Sequence, residues 1–471
     1  MVLDVGKTNA KLTLWDEGGA LLERRSRANV VVQSDRYRVL DAAGVEAWLA
    51  DTLGDFADQA EVGAIIPVAH GAAAALIQDG RLWTPPMDYE EEPDPADRAD
   101  YDRGRDAFAL TGSPRLPQGL NLGMQLHRLE RLTAPWPRDL QIVTWPQYWA
   151  WLLCGQTASE LTSLGCHTDL WRPGDGRHSA MAIARGWAQR LAPLRAAADV
   201  LGPISTAWAK RTGLPVTCQI HCGLHDSNAA LLAARGHAEI AMGDATILST
   251  GTWFVAMRSL ADHGNVAAHD LVESRDCLIN VDADGRPAPS ARFMGGREAE
   301  LLVGADISAL TENYDSDVLI GRLPALIERG VFALPGVVRG VGPFPDGPGG
   351  WENEPDDQLD RAAAVGLYLA LMADVVLDLV GSRERLVIEG RFAEAQVFVR
   401  ALAALRARQS VYVSKAQDDV PYGALRLLRP SLVSASPLTP VTPLPLDISQ
   451  YVRRWRALAQ GDDHRGRTAR R

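Results

Sequence analysis

The sequence is short of sulfur, of basic charge and of long apolar runs. It has five cysteines in 471 residues, an odd and sparse set. That excludes a disulfide framework and points to a reducing cytoplasm. Lys and Arg number 48 against 59 Asp and Glu, a net charge of −11. The basic face of a nucleic-acid binder is missing. The opening MVLDVGKTN lacks the basic and apolar stretches of a secretory leader. No uninterrupted apolar run reaches the roughly 18 residues of a membrane span. The phosphate loop G-x-x-x-x-G-K-[ST] is also absent. Cys218-Gln-Ile-His-Cys222 has no second Cys/His pair, so a zinc site is not expected. Neither nucleic acid nor membrane is an expected partner.

What is present is ordinary globular composition, 46% hydrophobic and 23% charged, in a length that suits two or three domains. VLDVGKTNAKLTLWDEGGALLERRS alternates apolar and polar residues around two turns and reads as a β-meander. Asp41 to Leu53 carries a helical stripe of Val45, Trp48, Leu49 and Leu53. AIIPVAHG is a buried strand, and LNLGMQLHRLERL is an amphipathic helix with Leu122, Leu126, Leu129 and Leu132 in register. YEEEPDPADRADYD reads as a solvated acidic loop. AEIAMGDATILSTGTWFVAM forms a second meander, which hints at a duplication with its boundary near Met242. In the last third strands alternate with helices (RLVIEG, AQVFVRALAALRAR, SVYVSK, PYGALRLLRPSL), the pattern of a parallel sheet. The polar, basic end GDDHRGRTARR reads as a frayed tail.

Several residues sit where such folds do chemistry, at the carboxyl ends of strands. Asp226 stands between a strand and an Ala/Leu-rich helix. As a helix N-cap it would accept orphan N–H groups of the first turn; a base is the competing reading. Asp4 precedes a glycine turn whose amides can cradle phosphate, with Lys7 adding charge. As an oxygen donor Asp4 suits hydrated Mg²⁺. Ser249-Thr250-Gly251-Thr252 is a second such turn. His70, followed by Gly71, ends a buried strand and can meet a ligand hydroxyl.

Taken in order, these motifs resemble the FGGY carbohydrate kinases of the actin-like ATPase superfamily, from Val2 to about Leu432. MVLDVGKTNAKLTLWD resembles the first phosphate motif, VAHG the sugar-binding motif and GLHDSNAALL the motif with the catalytic Asp. DATILSTGTWFVAM looks like the second phosphate motif and VIEGRFAEAQVFVRALAALR like the adenosine segment. FMGGREAELL is similar to a segment of relatives acting on L-rhamnulose or L-fuculose.

The resemblance implies an α/β fold of two actin-like ATPase (ribonuclease H-like) domains, each a mixed sheet flanked by helices, around an interdomain cleft. It implies a sugar-binding domain over 1–241, a nucleotide-binding domain over 242–435 and a C-terminal extension over 436–471. It also implies transfer of the γ-phosphoryl group of ATP to a small ketose, with Mg²⁺, in a family where homodimers are common. By the same resemblance Asp226 is catalytic, and Ala69, His70, Gly71 and Asp226 hold the sugar. Gly6, Lys7, Thr8, Asn9, Lys11, Thr250, Gly251, Thr252, Gly390 and Arg391 hold the nucleotide, and Asp4 and Asp226 the metal. One departure stands out. Glu389-Gly390-Arg391 replaces the usual run of glycines where adenosine should rest, which raises the alternative of a sugar- and nucleotide-binding protein with little turnover. An actin- or chaperone-type ATPase acting on proteins is a third reading, and it leaves His70-Gly71 unexplained.

Overall fold

The computed structural model describes residues 1–241, 243–260, 271–304, 316–414, 419–433 and 437–460. Met242, near which the duplication boundary was expected, and the tail 461–471 lie outside the described residues.

The first meander forms as expected. Val2–Val5, Asn9–Trp15 and Leu21–Ala28 are successive antiparallel strands. The buried strand Ala64–Ala69 runs parallel to Val2–Val5 on the other side. Gln219–His221 follows in parallel and Val200–Pro203 closes the sheet antiparallel. The second meander is Ala245–Thr250, Phe254–Ser259 and Pro287–Phe293, with Cys277–Val281 added outside it. Arg385–Gly390 lies parallel to Ala245–Thr250, then Ser410–Val413 parallel again, then Thr439–Pro440 antiparallel. Five strands follow the same order in both sheets; the outer antiparallel strand differs, since Val200–Pro203 precedes its neighbour in the chain and Thr439–Pro440 follows its own. The resemblance between the two meanders thus extends to the two parallel strands beside each.

One strand of the first sheet is broken, and Pro67 explains it. Pro67 sits inside Ala64–Ala69 and brings no N–H to the ladder. The neighbouring strand stops at His221 and resumes only at Leu224–His225, where it pairs with Val68 and Ala69. Between them Gly223 adopts φ +81°, and a Cβ there would lie 2.1 Å from the Pro67 carbonyl oxygen. The carbonyls of Cys222 and Gly223 are taken instead by the Gln147 side-chain amide, at 3.2 and 3.0 Å.

The resumed strand leads into the helix Asp226–Ala234. Asp226 is its first residue rather than the cap before it. The cap position falls to His225, and the Asp226 carboxylate accepts from the next residue, Ser227. Against this helix packs Asp419–Leu428. The backbones all but touch, since a Cβ on Gly423 would lie 1.7 Å from the Ala229 oxygen. Arg426 donates to the Leu232 carbonyl at 2.6 Å. Ala424 also joins Val2, Ile66, Val68, Leu224 and Ala229 in one apolar cluster. A helix from the last sixth of the chain therefore completes the core of the first domain.

Other expectations change. The acidic stretch is not one loop: Asp94 caps a helix over Pro95–Gly104, with Pro95 in its first turn, where a missing N–H costs nothing. Leu132 is exposed, although Leu122, Leu126 and Leu129 are buried. Residues 437–460, within the stretch expected as a C-terminal extension, pack on the second sheet and core. Thr439–Pro440 joins the second sheet, and Tyr451 and Trp455, in the helix Ser449–Ala459, donate to the carbonyls of Val331 and Ala333 at 2.8 and 2.9 Å inside the second core. Gln358–Leu379 is long and apolar enough to cross a membrane, but 89% of its apolar window is buried in that core.

Gly423→Ala should lower thermal stability by the equivalent of about 1–3 kcal/mol, the usual range for overpacking. Gly321, inside the helix Ser316–Glu328 with nothing within 4 Å of a built Cβ, is the control. Gly321→Ala should leave stability unchanged or raise it by about 0.5–1 kcal/mol. Thermal unfolding of both variants checks the pair.

Candidate active site

Three parallel strands bring the first set of candidates into line. Val5 pairs with Ala69, and Ala69 pairs with His225. The residues after each strand end (Gly6 to Thr8, His70-Gly71, and Asp226) therefore stand side by side. The Gly6 turn is closed by its own N–H to the Asn9 carbonyl at 3.0 Å and braced by Asn29, whose amide donates to the Gly6 oxygen at 2.9 Å. Asn9 donates to the Thr8 hydroxyl at 3.2 Å. Asp4 lies one residue back, 3.8 Å from Lys11 Nζ.

His70 is a ligand-seeking group. Neither ring nitrogen has a partner among the described residues, and burial, helped by the Lys7 charge, lowers its pKa to about 3. A neutral imidazole with one donor and one acceptor unmet fits a hydroxylated ligand. Tyr89 meets it edge-on at 5.5 Å and Trp145 lies 6.3 Å away. Trp145, His70, Lys7 and Asp88 share a cavity of about 200 Å³. A close fit packs Gly71 here: a Cβ would lie 2.6 Å from Cys166 Sγ.

Asp226 is set among neutral groups. Burial raises its pKa to about 6 and lowers that of His225 to about 4 and of His167 to about 3. Ser227 N–H and Oγ reach Oδ1 at 2.6 and 3.2 Å, and His225 Nε2 lies 3.1 Å from the same oxygen. Oδ2 receives no hydrogen bond among the described residues, and the side chain keeps 30% exposure. One oxygen is held while the other faces out. Behind this, Glu160 accepts from the backbone and hydroxyls of Thr162 and Ser163, and Thr162 Oγ1 accepts from the His225 backbone at 2.9 Å.

Lys7 packs and pairs within the wall of the pocket. Its Nζ is bonded to the buried Asp88, lies 3.6 Å from Glu90 and sits 4.7 Å from the Tyr89 ring centre. The stretch read as solvated therefore supplies a wall of the His70 cavity. Nothing in its composition separates these three residues from the rest of the acidic run.

The second set gathers in the other domain. Thr250 pairs with Gly390 across two parallel strands, so the turns Gly251-Thr252 and Gly390-Arg391 are adjacent. Gly390 adopts φ +86° and a Cβ on it would lie 2.3 Å from the Thr250 oxygen. Thr250 Oγ1 donates to the Glu389 carbonyl at 2.5 Å and accepts from Phe392 N–H at 3.1 Å. The helix Gly295–Val303 of the FMGGRE segment starts against this turn: a Cβ on Gly296 would lie 2.2 Å from the Gly251 oxygen. Glycine at 296 and 390 lets three backbone segments meet at this turn. Glu389 does not obstruct it. Its carboxylate turns inward, is 6% exposed and accepts from Ser249. Arg391 is exposed at the rim.

Between the domains lies a cavity of about 390 Å³, with Tyr89 and Leu120 on one side and Trp253, Arg292 and Met294 on the other. Trp253 and Arg292 escaped the sequence reading, and so did His225, which is adjacent to Asp226 in the chain.

Two domains that share a five-strand order, with the candidate residues gathered at strand ends in each, have the architecture of the two-domain actin-like class. The domain profile described as "Carbohydrate kinase FGGY, C-terminal domain" matches residues 242–436. A carbohydrate kinase from Novosphingobium aromaticivorans is 50% identical over 97% of this chain and 99% of its own, with a TM-score of 0.93. The xylulose kinase from Rhodospirillum rubrum (18% identity, 100% and 99% covered, TM-score 0.76) and the gluconate kinase from Lactobacillus acidophilus (14%, 98% and 96%, 0.76) share the fold. A comparison with curated proteins returned no match. The chain belongs to the FGGY carbohydrate kinase family and is a sugar kinase.

The raised pKa of Asp226 has a consequence for stability. The folded protein holds this proton more tightly than the unfolded chain does, so ionising Asp226 costs stability as pH rises from about 4 to about 6, and the whole cost is present above that. Asp226→Asn carries no such cost. Its melting temperature should exceed the parent's at pH 8, and the difference should shrink toward zero at pH 4. Calorimetry at the two pH values checks it.

Proposed function

We propose that this kinase transfers the γ-phosphoryl group of ATP to a hydroxyl of a small ketose or polyol, with Asp226 as the base. The observation that carries the reading is the asymmetry of the Asp226 carboxylate: Oδ1 is occupied and Oδ2 is open beside an unpartnered His70. The acceptor lies over Trp145 and Tyr89, with one hydroxyl on His70 and the reacting hydroxyl on Oδ2. Oδ2 takes the proton as the oxygen attacks phosphorus. Ala69 and Gly71 shape the pocket as backbone, and Gly71 has no room for a side chain.

The nucleotide phosphates lie between the turns at Gly6 to Asn9 and at Thr250 to Thr252, with Lys11 beside Asp4 and with Gly390 and Arg391 on the adenosine side. Amide donors already fixed by their own turns need no rearrangement when charge develops. Asp4 and Asp226 are a donor set that fits hydrated Mg²⁺, which retains waters and takes one or two carboxylates. Mg²⁺ would neutralise charge on the phosphate oxygens. Closure of the domains keeps water from competing with the sugar for the phosphoryl group. Acceptor binding by residues 1–241 and nucleotide binding by those from 242 onward are part of the same proposal, with 436–460 assigned to the second unit.

The sugar itself is chosen among ketoses and polyols. L-Rhamnulose and L-fuculose rest on the FMGGRE likeness alone, and that segment begins at Gly295 and Gly296 against the nucleotide turn rather than at His70. A panel of L-rhamnulose, L-fuculose, D-xylulose, L-ribulose, gluconate and glycerol, read by sugar-dependent ADP release, decides it. Asp226→Asn should lose about 10²–10⁴-fold in kcat on whichever sugar is used, with acceptor binding retained. An unchanged kcat would leave Asp226 a purely structural residue.

A further inference from the structure

The second domain contributes a cation to the cleft that phosphoryl transfer by Asp226 does not use. Arg292 lies on Pro287–Phe293, paired with Val255 on the neighbouring strand. Its guanidinium carbon lies 4.7 Å from the Trp253 ring centre. Its Nε donates to Asp276 Oδ1 at 2.9 Å, and Asp276 Oδ2 accepts from Gly342 N–H at 3.1 Å. The group is 12% exposed, so it is held rather than waving in solvent. Among the described residues no hydrogen bond is formed by either Nη. An arginine has five N–H donors and only one is used.

The residues that share a cavity with Arg292 come from both domains. Arg292 lines the 390 Å³ space together with Tyr89, Leu120 and Met294. Tyr89 is the residue in edge contact with His70. The Arg292 charge also helps hold His167 neutral in the first domain. The volume falls within the range of about 300–1,000 Å³ usual for small-molecule sites, and the walls combine apolar side chains such as Leu120, Trp253 and Met294 with the charged Glu90, Arg115, Glu273 and Asp276. The guanidinium fork offers two parallel N–H groups, which match two oxygens a short distance apart.

We propose that Arg292, stacked on Trp253, is the second domain's specificity-determining contact with the acceptor, binding a pair of adjacent oxygens at the end remote from the phosphorylated hydroxyl. The paired oxygens are a carboxylate in a sugar acid or a vicinal diol in a ketose or polyol. The inference rests on the reading of the first-domain pocket as the acceptor site. It adds that acceptor binding spans both domains, so the sugar itself draws the cleft shut.

The experiment compares the parent with Arg292→Gln and Arg292→Lys, in steady-state kinetics with acceptor and ATP varied separately. Aldonates form one arm, and ketoses with polyols form the other. Both variants should raise the acceptor KM by about 10-fold or more, the loss expected for charge-assisted hydrogen bonds. The KM for ATP should stay within about 3-fold, an effect too small for a lost hydrogen bond. Arg292→Lys keeps the charge but not the fork, so it should not rescue. A 1-deoxy or shortened acceptor lacking one of the paired oxygens should lose its advantage in the parent and be indifferent to the substitution. Selective loss in the aldonate arm identifies a carboxylate, and selective loss in the other arm identifies a diol. An unchanged acceptor KM, or a loss confined to ATP, overturns the proposal. Asp276→Asn, which retains an acceptor for Nε, guards against misfolding: it should show a smaller rise in acceptor KM with unfolding like the parent's. If the parent phosphorylates no acceptor in either arm, the reading of the site fails, rather than the role of Arg292.

Discussion

A missing N–H organises the catalytic side of this protein. Pro67 occupies an interior position of a strand with neighbours on both sides. The ladder beside it cannot run through without leaving carbonyls unpaired, and buried carbonyls must be paired. The chain meets this with a break at Cys222-Gly223, a left-handed glycine and the amide of Gln147. After the break the strand returns for two residues and ends at His225. Strand direction alternates side chains between faces, so a continuous ladder displaced by one residue would turn Asp226 to the other side. The offset at Gly223 therefore sets where the carboxylate points. Glu160 and Thr162, bonded to the His225 backbone, hold what the break allows.

Electrostatics in the pocket follows from the same enclosure. Three imidazoles are kept neutral and the Asp226 carboxylate is made more basic. Lys7 supplies the opposite case: it is bonded to Asp88 and capped by Tyr89, so its charge is spent within the wall. The pocket at His70 is consequently polar, with the Lys7 charge balanced inside its wall. In the second domain the turns at Gly251, Gly296 and Gly390 meet through backbone instead.

Periodicity revealed the meanders, the parallel strands and the long helices, because burial on one face leaves a period of two or 3.6 in the letters. Order along the chain brought Asp4, His70, Asp226 and Thr250 together before any geometry was available. What stayed hidden shares one property: it depends on contacts between distant segments. Asp88, Tyr89 and Glu90 look like the rest of an acidic run until Lys7 and His70 are placed beside them. Glu389 looks like an obstacle until its carboxylate is seen turned toward Ser249. Trp455 and Tyr451 lie past the last motif, yet they fill the second core. Asp226 was given to a cap position that falls to His225, a one-residue difference that local propensity cannot resolve.

The pairing of Asp226–Ala234 with Asp419–Leu428 also dictates an order of events. Arg426 reaches Leu232 across 194 residues of chain. At roughly 5–20 residues per second of synthesis, the helix that carries Asp226 waits on the order of 10–40 s for its partner to leave the ribosome. Until then Ala229 and Leu224 lack the surface that buries them. The first sheet is complete by residue 225, yet the helix that begins at Asp226 rests on a helix from the last sixth of the chain. A prematurely ended chain therefore lacks the surface that buries this helix in the folded protein.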